Sequence, residues 1–133
     1  MNRRAAGTAG GIAAAVPAAL FAALAGTMLH GQNILVAGVE VPWGAVAALV
    51  LLGAVELWLG AAFRSPLPTA VCGVLCYALA GWVSTFREGK RLIIGDLAGN
   101  LWIYGIAAVT FVMLAWCRRY REPQAQQATA RAA

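Results

Sequence analysis

The chain has 133 residues, 62% of them hydrophobic and only 11% charged, with a mean hydropathy of +0.74. Soluble domains are nearer half apolar and a quarter charged. This composition therefore excludes an ordinary soluble domain and predicts an all-α integral membrane protein, too short to hold a soluble domain as well. The net charge of +5 does not point to nucleic acid, because the charges gather at the ends of apolar runs, where basic side chains meet anionic lipid headgroups. Abundant Ala, Gly and Arg beside a single Lys point to a high-GC bacterial genome and a bacterial plasma membrane.

A short basic start with Arg3 and Arg4 leads into span one, about 10–29. Ala14, Ala18, Ala22 and Gly26 recur at four-residue spacing. Such a stripe of small residues lets another helix approach closely, although an Ala-rich composition leaves the same trace. Pro17 lies near mid-span; it has no N–H to give, so the carbonyl of Ala13 loses its usual partner. Basic residues, an apolar run and Ala23-Leu24-Ala25 also fit a secretory signal peptide, but the run exceeds the 7–15 residues typical of one. Retention of span one is the expectation.

Residues 30–42 form the first outer loop. Asn33-Ile34-Leu35-Val36 and Val39-Glu40-Val41 around Ala37-Gly38 predict a small β-hairpin. Span two follows over 43–63. At about 1.5 Å per residue it reaches roughly 30 Å, the thickness of a bilayer's hydrocarbon core, and its only charge is Glu56. Arg64-Ser65-Pro66 is so short a connection that spans two and three must be antiparallel neighbours. Span three covers about 67–86, with Pro68 in its first turn, where proline is tolerated. In the second outer loop, 87–99, Leu92-Ile93-Ile94 and Leu97-Ala98 around Gly95-Asp96 suggest a second hairpin. Span four covers about 100–117. Residues 1–117 thus predict an antiparallel four-transmembrane-helix bundle with two short, structured outer loops. Residues 118–133 predict a basic and then disordered cytoplasmic tail.

Orientation follows from the basic residues. With both termini inside, the inner side holds seven: Arg3, Arg4, Arg64, Arg118, Arg119, Arg121 and Arg131; the outer side holds three: Arg87, Lys90 and Arg91. That bias fits the positive-inside rule. The tryptophans agree with it, Trp43, Trp82 and Trp102 at the outer interface and Trp58 and Trp116 at the inner one, as an aromatic belt predicts.

Gly81-Trp82, Glu88-Gly89, Leu92-Ile93-Ile94-Gly95-Asp96, Gly99, Trp102 and Tyr104-Gly105 resemble a family of small four-span membrane proteins of high-GC Gram-positive bacteria. The family has no assigned activity. The resemblance covers roughly the C-terminal half, implies the four-span topology and implies no chemistry.

Glu56 is the one charged group deep in a span, about seven residues from its inner end. A charged carboxylate at such depth costs at least about 3 kcal/mol, so it must be neutral, paired or facing water. Gly53 and Gly60 share its face at i−3 and i+4. Matched depths place Cys72, Gly73 and Cys76 of span three and Thr110 of span four near it, and span one offers the free carbonyl of Ala13. Three readings stay open. Glu56 is a neutral interhelical donor to that carbonyl, a proton- or cation-coupling group, or a residue tolerated near the inner interface. Cys72 and Cys76 supply half of a metal site at most, and as small hydrophobes they suit a core. His30, the only histidine, sits at an outer span end and predicts a solvated side chain; Asp96 and Asn100 suit turn and cap positions. Arg118, Arg119 and Arg121 hold the inner end against anionic lipid or dock a partner. No catalytic, metal or cofactor motif stands out. The expectation is a non-enzymatic accessory or scaffold protein, cofactor-free, packing against itself or a larger membrane complex, with a small Glu56-coupled transporter as the alternative.

Overall fold

The computed structural model describes residues 3–85 and 97–132. Its elements are α1 (Arg3–Leu29), β1 (Ile34–Val36), β2 (Val39–Val41), α2 (Trp43–Phe63), α3 (Pro66–Thr85) and α4 (Leu97–Ala132). Among the described residues, four helical stretches are long and apolar enough to cross a membrane: Gly7–Leu29, Trp43–Phe63, Pro66–Thr85 and Leu97–Arg119. They pack as a bundle in which α1 and α4 each lie against both α2 and α3, and α2 and α3 touch each other.

Side-chain size explains how they pack. The buried faces of α1 and α3 carry small residues, Ala15, Ala19 and Ala22 of α1 and Cys72 and Cys76 of α3, whereas α2 and α4 bury Ala45 and Ala48 together with the larger Leu52, Leu59, Trp102 and Ile106. The outward faces carry large ones, Phe21 and Met28 of α1, Val50 and Trp58 of α2, Val74 of α3, Phe111 of α4. Helices in lipid gain nothing by hiding Leu or Phe from lipid tails, and instead gain dispersion by bringing backbones close over small residues.

Close approach is clearest between α2 and α4. A Cβ on Gly105 would strike Leu49, one on Gly53 would press on Val109 (3.3 Å) and Met113 (3.5 Å), and one on Gly60 would strike the Cys117 thiol. Positions rise together along both helices, so α2 and α4 run parallel and in register. On α1, Gly11 meets Phe63 and Pro68. That contact puts the start of α1 beside the α2–α3 connection. The connection turns through Arg64, which caps α2 in the left-handed region (φ 47°, ψ 34°).

The first loop is the hairpin its sequence predicts. Ile34 pairs with Val41 and Val36 with Val39, and Ala37 and Gly38 both have positive φ, 53° and 83°, as a two-residue hairpin turn requires. Gly44 ties this end together. Its N–H donates to the Gln32 carbonyl (2.9 Å), and a Cβ there would collide with the Leu29 carbonyl oxygen.

Three expectations need correction or limits. The strand expected at Leu97-Ala98 is instead the first turn of α4, where Ala98 is fully buried; helical placement satisfies its backbone and its packing together. Residues 92–96 of the expected second hairpin lie outside the described residues. The tail expected to be disordered continues as helix to Ala132. Ala, Gln, Glu and Arg are strong helix formers, and the span before them has already met the cost of helix nucleation. At 36 residues α4 is roughly 54 Å long, nearly twice what a bilayer core needs.

Candidate functional site

Helical periodicity puts Glu56 on the inward face of α2, between Gly53 and Gly60, and the bundle leaves it no exposed surface. Thr110 of α4 donates its hydroxyl to Glu56 Oε1 (2.7 Å). Thr69 of α3, itself fully buried, donates to the Glu56 backbone carbonyl (3.0 Å). Glu56 Oε2 is buried without a hydrogen-bond partner. Gly73 of α3 completes the site, because a Cβ there would run into the Thr110 side chain and stand 2.8 Å from Glu56 Oε1. One residue of α2 thus binds α3 through its backbone and α4 through its side chain, at one level of the bundle.

Sequence reasoning brought Glu56, Thr110 and Gly73 together and the structure does the same. It missed Thr69. That residue lies on the helix face of Cys72, Gly73 and Cys76, one turn earlier, and extending the same i, i+3 step backwards finds it. The expected bond from Glu56 to the Ala13 carbonyl does not form. Ala13 is exposed on the outer side of α1, whereas Ala15 and Ala19 face inward. Two residues are about 200° of helix rotation, so a shared depth did not mean a shared face.

Cys72 and Cys76 are free and buried, Cys72 in one hydrophobic cluster with Ala15, Ala19 and Leu59 and Cys76 in a second with Leu52, Ala80 and Ile106. Among the described residues no group of three or more His, Cys, Asp or Glu comes together as metal ligands. His30, expected to be solvated, is half-buried, and its Nδ1 donates to the Thr27 carbonyl (2.6 Å), closing the end of α1.

Trp43, Trp58, Trp82 and Trp116 all point out of the bundle, each at least half exposed. Trp102, expected in the same belt, is 1% exposed. Its ring lies against Gly26, where a Cβ would overlap it, and its Nε1 is buried without a hydrogen-bond partner. The slot that Gly26 opens on α1 converts an interface residue into a core one. Arg118 and Arg119 are exposed; the side chain of Arg121 lies outside the described residues.

Compared with known proteins, the chain matches no family model, no curated protein and no solved structure.

Proposed function

We propose that this is a small multi-pass protein of a bacterial plasma membrane, both termini cytoplasmic, acting as a non-enzymatic accessory or scaffold subunit. It packs against itself or a larger membrane complex. The observation that carries this reading is the enclosure of Glu56. The carboxyl has no exposed surface, and one of its oxygens is engaged by Thr110. A coupling carboxylate must exchange its proton or cation with water on each side in turn; one fixed between three helices serves as an interhelical tie.

The test is ion flux in proteoliposomes, with cross-linking in native membranes alongside it. Wild type and Glu56→Gln are expected to give the same flux as empty vesicles under a pH or sodium gradient, and cross-linking is expected to recover the chain in a defined oligomer or complex. Flux in the wild type that Glu56→Gln abolishes without loss of helical content overturns the scaffold reading. It makes the Glu56-coupled transporter the function.

A further inference from the structure

Between the first turns of α3 and the inner part of α4 runs a groove of about 490 Å³, lined by Leu67, Ala70, Phe111, Leu114 and Ala115, with Arg118 at one end. We propose that this groove binds one anionic phospholipid, an acyl chain lying along the apolar wall and the phosphate resting on Arg118. The inference rests on the membrane reading above.

The volume falls within the roughly 300–1,000 Å³ of small-molecule sites, but the lining differs from that of a site for a water-soluble ligand. Every wall residue is apolar and the one polar side chain is a cation. Arg118 stands at the end of the apolar stretch Leu97–Arg119, the level at which a spanning helix meets headgroups. The apolar wall therefore lies at acyl-chain depth and the guanidinium at phosphate depth. A guanidinium forks onto two phosphate oxygens.

The partner helix adds to the same field. α3 begins at Pro66, so the partial positive charge of its first turn lies at this mouth, although Pro66 and Pro68 have no N–H to offer. The Leu67 N–H makes only a long contact, 3.4 Å, to Ser65 Oγ. No carboxylate lines the groove. A zwitterionic headgroup would bring its own cation to a mouth that is already positive; an anionic one does not. A nucleotide or an acidic peptide would satisfy the arginine but leave the wall uncovered.

The experiment is native mass spectrometry of the full chain released from nanodiscs of mixed phosphatidylcholine and phosphatidylglycerol. The wild type is expected to retain one phosphatidylglycerol, enriched about fivefold over its share of the bilayer, the equivalent of the ~1 kcal/mol that one basic residue gains near an anionic surface. Arg118→Gln is expected to bring retention down to that share. Ala115→Phe, which fills the groove and keeps the arginine, is expected to do the same, and Ala70→Leu serves if circular dichroism shows that Ala115→Phe has lost its helices. Arg119→Gln is expected to leave retention unchanged, and soluble glycerol phosphate not to compete.

Equal losses from Arg118→Gln and Arg119→Gln would mean a diffuse basic belt and overturn the site. Filling variants that keep the lipid would overturn it too, as would competition by glycerol phosphate, which would mean an anion site without a chain. A chain that inserts but shows no preference defeats the groove alone. A chain that fails to enter the bilayer defeats the membrane reading and the groove with it.

Discussion

Glu56 Oε1 depends on one hydroxyl. Removing the Thr110 hydroxyl in Thr110→Val keeps the side-chain shape and leaves both carboxyl oxygens of a fully enclosed residue without a partner, since Oε2 already has none. A buried polar group stripped of its partner costs about 1–3 kcal/mol. Denaturant unfolding in detergent micelles should show that loss for Thr110→Val. Thr110→Ser, which keeps the hydroxyl, should lose clearly less. Equal losses from both would assign the effect to the missing methyl group and its packing against Gly73. The pairing of Glu56 with Thr110 was legible because depth in a membrane span can be counted along the sequence from the span ends. Facing direction is harder to count. It depends on how each helix is rotated about its axis, and this is why Ala13 fell on the wrong side of α1 while Thr69, hidden in a first turn beside two prolines, went unnoticed.

Helices in this bundle are positioned by what glycine omits. The Trp102 ring of α4 enters the space over Gly26 of α1, a contact in which a Cβ would overlap the ring. Gly26→Ala should therefore push the indole out of the core and cost about 1–3 kcal/mol, the usual range for overpacking. Trp102→Phe removes the second ring and leaves a partial void, and alone it should also destabilise. Combined, the two changes relieve each other. The double variant should be more stable than the sum of the single effects by at least about 0.5 kcal/mol, the coupling expected of residues in direct contact. Strict additivity in the unfolding free energies would show that the ring does not rest on Gly26. A tryptophan at a span end reads as a belt residue because that is where most such residues sit. Only the glycine opposite, on a helix more than seventy residues away in sequence, decides otherwise. The four spans, in contrast, were legible from length and hydropathy alone, and the first hairpin from a two-residue turn between β-branched strands. The helical extension of α4 was not, because the composition that marks a tail as polar is also rich in helix formers.

At the scale of the molecule the charge bias acquires physical ends. Gly11 meets Phe63 and Pro68, and Gly60 meets Cys117, so the start of α1, the turn at Arg64 and the Arg118–Arg119 pair share one end of the bundle. The hairpin and the clamp between Gly44 and Leu29 lie at the other. Among the described residues the bundle is therefore polarised, with basic residues gathered where three separate segments converge. The positive-inside rule then predicts that this end stays in the cytoplasm. Reporter fusions check it directly. An alkaline phosphatase fused after Gly38 should be active, and one fused after Ser65 or Ala132 inactive, with a cytoplasmic fluorescent reporter giving the opposite pattern. The reverse pattern would reject the assigned orientation and move the Arg118 groove to the outer leaflet, away from the negative surface potential that cytoplasmic anionic lipids supply. Activity of both reporters at one site would mean that the chain inserts both ways. Orientation and lipid preference are thus coupled. If Arg118 recruits an anionic lipid on the inner side, Arg118→Gln together with Arg119→Gln should weaken both the lipid retention and the asymmetry of the fusions. A single Arg119→Gln should reduce the asymmetry only slightly and leave the lipid in place.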